Sequence, residues 1–249
     1  MKTVAIINQK GGVGKSTTAL SIGAGLVLRG KTVLFIDLDA QANLSHTLRA
    51  QPGPTAMDLL TGTPAAEIIQ NNLIPASPEL AAADTTITQT GKEYRLKEAL
   101  EQLSIAYDYA IIDTPPALGI LTINALTASD GVIIPAQADI YSLQGISQLY
   151  GTVETVRRYC NPGLKVMGIL LTRYNSRAVI GREAAEMIED TAAQLNTRVY
   201  AARVRECTAI KESQAVRENI FKYAPKSNAA FDYAAVVEEI LQVETRSKQ

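Results

Sequence analysis

The chain has 249 residues, with 24 lysines and arginines against 25 aspartates and glutamates, and hydrophobic residues make up 47% of it. This composition excludes a disordered chain and a uniformly basic nucleic-acid binder. No apolar run reaches the ~18 residues of a membrane span, and the N-terminus lacks the layout of a signal peptide. Two cysteines and one histidine exclude disulfide and zinc scaffolds. Together these features predict a cytoplasmic protein.

Five short apolar runs rich in β-branched residues predict the strands, which are residues 3–8, 32–37, 109–113, 131–135 and 166–172. Helical patterns cover residues 15–29, 145–159, 181–195 and 228–243. The strands are continuously apolar rather than alternating, which is typical of parallel strands covered on both faces. The pattern therefore predicts an α/β fold, a doubly wound and mostly parallel sheet with helices on both faces. In such sheets ligands bind at the carboxyl ends of the strands.

Five prolines make residues 50–90 irregular, and we interpret this region as surface helices and loops. It lies within one domain, residues 1–249, because no linker composition interrupts the chain. Residues 244–249 form a polar segment that predicts a frayed tail.

A glycine-rich loop lies between the first predicted strand and helix, the context that a phosphate-binding loop requires. It consists of Lys10, Gly11, Gly12, Val13, Gly14, Lys15, Ser16 and Thr17. The glycines let successive amides point at phosphate oxygens, and the helix N-terminus adds its positive dipole end. We expect Lys15 to contact the β- and γ-phosphates, Ser16 to bind Mg²⁺, and Thr17 to contact the α-phosphate.

This loop departs from the standard pattern at its start. Gln9 stands where a glycine is expected, and a second lysine, Lys10, precedes the glycine pair. Two lysines five residues apart around one loop require an explanation. One lysine serves the subunit's own nucleotide, and the other is available to reach the nucleotide of a facing subunit.

Three aspartates follow predicted strands. Asp37 and Asp39 lie two residues apart after the second strand and share a face if that strand continues, while Asp113 ends the third strand. An apolar strand ending in aspartate is typical of an NTPase, where the carboxylate holds Mg²⁺ directly or through water. We expect Asp113 in this role, Asp37 to support the metal indirectly, and Asp39 to position the attacking water.

Three segments, residues 10–17, 37–41 and 113–116, together resemble the deviant-Walker ParA/MinD family of P-loop ATPases, and most of all its small chromosomal-type (Soj-like) ParA members. The resemblance implies an ATP-dependent sandwich dimer in which Lys10 contacts ATP across the interface. It also implies Mg²⁺-dependent ATP hydrolysis, nonspecific binding of double-stranded DNA on the nucleoid, and release of the DNA on stimulation by a ParB-like centromere-binding protein.

The resemblance also implies roles for single residues. Lys10, Lys15 and Asp39 match the catalytic positions, and Asp113 matches the Walker B aspartate. Asn175 and the loop with Pro225 and Lys226 fall where family members hold adenine. The short polar C-terminus does not resemble the basic amphipathic helix of MinD-like members, so no membrane partner is expected.

A basic segment lies between residues 198 and 226, where seven lysines and arginines face three glutamates. Such a patch on a mildly acidic protein predicts salt-dependent, sequence-independent contacts with DNA phosphates. The candidate contacts are Arg203, Arg205, Lys211, Arg217 and Lys222. The alternative is a solvated face whose charges pair locally.

Two other functions stay open. One is a ParA-like ATPase that positions a protein cargo on the same DNA track. The other is a metabolic ATP-dependent synthetase, which would need a small-molecule pocket and would have no use for Lys10 in a second subunit.

Overall fold

The computed structural model describes residues 1–246. Six parallel strands form one sheet in the order β3-β2-β4-β1-β5-β6. The strands are β1 Lys2–Ile6, β2 Val33–Asp37, β3 Leu73–Ile74, β4 Tyr109–Asp113, β5 Gly131–Gln137 and β6 Lys165–Thr172. Every pair between these strands is parallel, so their carboxyl ends lie on one edge of the sheet.

Helices connect the strands and cover both faces of the sheet. They are α1 Lys15–Val27, α2 Asn43–Thr47, α3 Ala56–Thr61, α4 Ala65–Ile68, α5 Ala83–Thr86, α6 Arg95–Glu101, α7 Ile120–Ala128, α8 Ile140–Tyr159, α9 Val179–Gln194, α10 Thr208–Ala215, α11 Ile220–Tyr223 and α12 Asn228–Arg246. Two 3₁₀ turns, Pro78–Ala82 and Lys92–Tyr94, complete the irregular region. None of these helices is long and apolar enough to cross a bilayer, within the described chain.

The core has two layers because successive strand residues point to opposite faces. On β1, Val4 and Ile6 pack with α1 and α12, whereas Ala5 packs with the helices of the other face. All three side chains are buried. A sheet buried on both sides explains why the strands are continuously apolar, and the predicted doubly wound α/β fold is confirmed.

The structure differs from the sequence prediction at three places. β3 lies in the region predicted as helices and loops; it has two residues, too few for a period, and forms by pairing with Phe35 and Ile36 of β2. α8 begins at Ile140, five residues earlier than predicted, because the Asp139 carboxylate accepts a hydrogen bond from the Ser142 amide and caps the helix. α12 continues to Arg246, through half of the predicted tail, and residues 247–249 lie outside the described residues.

Candidate nucleotide-binding site

The glycine-rich loop lies at the carboxyl edge of the sheet, between β1 and α1. Gly12 and Gly14 have φ angles of 76° and 89°, in the left-handed region that glycine adopts without strain. Gly14 also caps α1, which begins at Lys15. The loop therefore turns into the N-terminus of a helix, as a phosphate-binding loop requires.

Hydrogen bonds turn the carbonyl groups of the loop towards the protein. The Gln137 side chain donates to the Gly12 carbonyl at 3.3 Å, and the Thr172 hydroxyl donates to the Val13 carbonyl at 2.8 Å. The Lys15 ammonium donates to the Lys10 carbonyl at 3.3 Å. With these carbonyls facing inwards, the amides of the loop turn to the open side, where an anion is bound.

Three residues that hold this loop were not predicted from the sequence. The buried Asn8 side chain donates to the Pro135 carbonyl at 2.7 Å and accepts from the Lys10 amide at 2.9 Å. Gln137 and Thr172 end the strands β5 and β6. A polar residue at the end of an apolar strand is the signal that identifies such positions, since a buried polar group requires a hydrogen-bond partner.

A cavity of about 450 Å³ opens in front of the loop. It brings together predicted residues from separate segments, namely Gly11, Gly12, Gly14, Lys15, Ser16, Thr17 and Asp39. Gln41, Asn43, His46, Pro116 and Gln214 also line it. Gln41 and Pro116 belong to segments that carry the family resemblance, whereas Asn43, His46 and Gln214 were not predicted as site residues. Val13 is buried behind the loop, and its position is structural.

Asp113 is the carboxylate best placed for a metal ion. It is fully buried, and neither of its oxygens has a hydrogen-bond donor in good geometry, although the Ser16 hydroxyl faces it. Burial, reinforced by the charge of Asp37, raises the pKa of Asp113 well above its usual range. A buried carboxylate without a partner, beside a serine hydroxyl and a phosphate-binding loop, fits a Mg²⁺ site whose remaining ligands are phosphate and water.

Asp37 lies directly opposite Asp113 in the register of the neighbouring strands, but its oxygens are occupied. One oxygen accepts from the Ser45 amide at 2.8 Å and hydroxyl at 2.7 Å, and the other from the Asp39 amide at 3.1 Å. Burial raises its pKa to about 6 despite these hydrogen bonds. Asp37 therefore fixes the β2–α2 connection, and its indirect support of the metal stays a prediction.

β2 ends at Asp37, so Asp39 lies outside the strand. The two carboxylates were expected to share a face only if the strand continued, and it does not. Asp39 is half-buried at the cavity, where it accepts a hydrogen bond from the Gln41 amide at 3.0 Å. The buried Lys15 lies within electrostatic range of Asp113 and Asp39. Burial lowers the pKa of Lys15, and the two carboxylates oppose that shift.

A smaller adjoining cavity, of about 170 Å³, lies behind the loop. Thr172, Arg173, Val204, Cys207 and Gln214 are among its lining residues. Gln214 separates the two cavities and donates a hydrogen bond to the Thr17 hydroxyl at 2.9 Å.

The residues predicted to hold adenine do not line either of these two cavities. Asn175, Pro225 and Lys226 are exposed on loops, and the Asn175 side chain accepts from the Arg177 amide instead. Their assignment to adenine therefore stays a prediction. Lys10 also lies outside the cavity lining, with its side chain turned towards Asp139.

Most of the predicted DNA contacts already have partners. Arg203 pairs with Glu189, Arg205 with Asp232, and Lys222 with Glu218. Arg217 donates to His46. Glu189 and Asp232 lie outside the segment in which charges were counted, so the patch is less positive than its sequence indicates. Lys211 forms no ion pair or side-chain hydrogen bond within the described part of the chain.

A phosphate-binding loop at the carboxyl edge of a parallel sheet, beside a buried strand-end aspartate, defines the class of P-loop nucleotide-binding proteins. An AAA domain family model (AAA_31) matches residues 1–166. The sporulation initiation inhibitor protein Soj of Bacillus subtilis is 39% identical over 250 residues, covering 96% of this chain and 98% of that protein. The chromosome partitioning protein ParA of Myxococcus xanthus is 36% identical over 255 residues, covering 98% and 89%. The chain belongs to the ParA/Soj family of partition ATPases.

Solved structures agree with this fold. A Mycobacterium smegmatis protein described as cobyrinic acid a,c-diamide synthase, with a bound ATP analogue and magnesium, gives a TM-score of 0.84 at 33% identity and covers 100% of this chain and 97% of its own. A Cyanothece McdA variant in complex with ATP gives a TM-score of 0.85 at 26% identity and covers 96% of each chain. The ligands of these neighbours agree with the predicted ATP and Mg²⁺.

Proposed function

We propose that the protein is a DNA-partition ATPase. Two ATP-bound subunits form a sandwich dimer that binds double-stranded DNA without sequence preference, in the cytoplasm on the nucleoid. Mg²⁺-dependent hydrolysis, stimulated by a ParB-like centromere-binding protein, separates the subunits and releases the DNA. The observation that carries this proposal is the different placement of the two lysines. Lys15 lies in the cavity of its own subunit, and Lys10 lies outside that cavity.

Each step of hydrolysis has a candidate residue in the cavity, directly behind it, or on the facing subunit. The loop amides and Lys15 hold the β- and γ-phosphates, and Ser16 and Asp113 hold Mg²⁺, which neutralises phosphate charge when it is bound. Asp39, half-buried at the cavity, orients the attacking water. Lys10 of the facing subunit adds positive charge as negative charge spreads over the transferred group.

The adjoining cavity is our candidate for the nucleobase. It shares Gly12, Gly14 and Thr17 with the phosphate cavity. The end of β6, the loop before α10, α10 itself, including Lys211, and Tyr233 of α12 supply the rest of its wall. Arg173 and Glu206 form an ion pair at 2.9 Å on that wall. Binding of adenine there is an alternative to the roles predicted for Asn175, Pro225 and Lys226.

The decisive experiment combines sizing and DNA retention with Mg²⁺–ATP. The variant Asp39→Ala is expected to form ATP-dependent dimers that retain plasmid DNA but do not turn over, and Lys15→Ala to bind no ATP and stay monomeric. The proposal fails if the hydrolysis-blocked, ATP-loaded variant stays monomeric at high concentration and does not bind DNA.

Two of the similar solved structures suggest alternative functions, and the same experiment distinguishes them. If the protein positions a cargo as an McdA-like ATPase, DNA retention persists but a ParB-like protein does not raise turnover. If it is a synthetase of the kind the Mycobacterium smegmatis protein is described as, turnover rises with a carboxylic acid acceptor and is indifferent to DNA.

A further inference from the structure

Arg217 occupies a backbone position that favours glycine. At the end of α10 the Glu218 amide donates to the Ser213 carbonyl at 2.9 Å, and the Arg217 amide donates to the Gln214 carbonyl at 3.1 Å. This pair of bonds is the Schellman motif, in which the residue after the cap is left-handed and is usually glycine. Arg217 has a φ of 55°. A non-glycine residue at such a position strains the backbone, which raises the hypothesis that its side chain has a structural or functional role.

The side chain of Arg217 reaches a residue of the nucleotide cavity. Its Nε donates to His46 Nε2 at 3.0 Å, and His46 belongs to α2 and lines the cavity. From the opposite direction, Arg49 makes a longer contact of 3.5 Å with the Val216 carbonyl. The end of α10 is thus joined to α2 across the mouth of the cavity.

The segment that Arg217 reaches follows the predicted catalytic aspartate. α2 begins four residues after Asp39, and on its inner side the carboxylate of Asp37 holds Ser45. Ser45 directly precedes His46, so this short helix is held on its inner side by Asp37 and on its outer side by Arg217. A helix of five residues has little stability of its own and depends on such contacts.

We propose that Arg217 is a positioning residue: through His46 it holds α2, and with it the loop of Asp39, in the geometry that hydrolysis requires. The consequence for hydrolysis rests on the proposed function, whereas the ordering of α2 does not. This role replaces the DNA contact that the basic segment predicted for Arg217. The hydrogen bond to His46 occupies the Nε of the exposed guanidinium on the protein's own surface.

Arg217→Gly is the sharpest variant because glycine suits the backbone at this position, so the side chain is removed without strain. His46→Ala removes the acceptor, and His46→Gln restores an acceptor oxygen. Arg49→Gly is the comparison variant, since Arg49 is also left-handed, with a φ of 60°, and carries the same charge, but makes only the longer contact of 3.5 Å between the same segments. The measurements are amide hydrogen exchange of residues 43–48 without nucleotide, and kcat and KM for Mg²⁺–ATP with plasmid DNA.

Arg217→Gly and His46→Ala are each expected to speed exchange in α2 and to lower kcat roughly three- to tenfold with little change in KM. The double variant is expected to match either single variant, and His46→Gln to stay within about twofold of wild type. Arg49→Gly is expected to have a smaller effect.

The first outcome that overturns the inference requires that wild-type protein hydrolyses ATP. In it, Arg217→Gly and His46→Ala leave both the hydrogen exchange of α2 and kcat unchanged, and Arg217→Gly reduces only DNA retention. An Arg49→Gly effect equal to that of Arg217→Gly, with none from His46→Ala, also overturns the inference, because charge alone would then be responsible. If wild-type protein hydrolyses no ATP, the proposed function fails, and the exchange measurements still test whether Arg217 orders α2.

Discussion

The Lys10 ammonium and the Asp139 carboxylate form an ion pair of 2.5 Å within one subunit. The other oxygen of Asp139 accepts from the Ser142 amide at 2.9 Å and caps α8. Burial acts to raise the pKa of Asp139, but the hydrogen bonds from Lys10 and Ser142 outweigh it and lower that pKa. Lys10 is therefore held by its own subunit, and reaching a partner requires that this pair break.

Asp139→Asn is expected to favour the ATP-dependent dimer. Asparagine keeps the cap of α8, since it is as good an N-cap as aspartate, but it loses the charge that holds Lys10. A partly exposed pair contributes about 0.2–1 kcal/mol, and each of the two subunits loses one such pair on dimerisation, so the dimer dissociation constant should fall roughly two- to thirtyfold. Analytical ultracentrifugation with a nonhydrolysable ATP analogue measures this constant. An unchanged or weaker dimer would show that the pair does not restrain Lys10.

Thr172→Val is expected to weaken nucleotide binding without unfolding the protein. Valine has nearly the same shape, but the Val13 carbonyl loses the hydroxyl that turns it inwards. A lost buried hydrogen bond of about 1–2 kcal/mol corresponds to a roughly tenfold higher dissociation constant for ATP. Calorimetric titration measures this change. Thr191→Val is the control, because the Thr191 hydroxyl donates only to Met187 within α9; equal affinities of the two variants would contradict the role of Thr172.

The buried aspartates predict that the nucleotide-free protein loses stability as pH rises. Asp37 has a folded pKa of about 6, and that of Asp113 is also raised, against about 4 in an unfolded chain. Between these values the folded protein binds more protons than the unfolded chain, so the free energy of unfolding falls as pH increases through this window. Burial is the cause, because it penalises the charged carboxylate.

Melting temperatures between pH 5 and 8 measure this effect, with Asp113→Asn as the comparison. Asparagine carries no charge at any pH, so the variant is expected to gain stability relative to wild type as pH rises. Mg²⁺–ADP is expected to stabilise wild type more at high pH, because the metal ion favours the deprotonated carboxylate of Asp113. A difference between the two proteins that does not depend on pH would contradict a raised pKa for Asp113.

Lys211→Ala is expected to weaken DNA retention by the ATP-bound protein. Lys211 is exposed and has no ion pair within the described residues, so its charge is available to a phosphate, whereas Arg205 is neutralised by Asp232. Because Lys211 also lines the smaller cavity, DNA retention is measured at saturating ATP. Removing one phosphate contact should reduce the slope of log affinity against log salt by about 1. Fluorescence anisotropy at several salt concentrations measures the slope. Lys165→Ala, at the amino end of β6, is the control, and equal slopes for the two variants would move the DNA site elsewhere.

The sequence predicted those parts of the site that are contiguous in the chain. Residues 10–17 have the strand, loop and helix order that a phosphate-binding loop needs, and Asp113 ends an apolar strand, so local pattern was sufficient. The parallel sheet was predictable for the same reason. β3 was not, because two residues contain no period and acquire their structure from pairing with β2.

The sequence could not predict which charged residues form ion pairs, because the partners come from distant segments of the chain. The surplus of positive charge between residues 198 and 226 was counted along the chain, whereas Glu189 and Asp232 approach it only in the folded protein. Electrostatic interactions fall off with distance in space, and a linear count of charges contains no such distances.

The sequence by itself thus determined the fold class and the phosphate-binding loop, because these depend on hydrophobic period and on the local freedom of glycine. It also indicated the family, through the resemblance of residues 10–17, 37–41 and 113–116. Only the tertiary structure decided that Lys10 rests on Asp139, that Asp113 is left without a donor, and that Arg217 binds His46. Each of these depends on segments that the sheet brings together, where burial and geometry fix which polar groups find a partner.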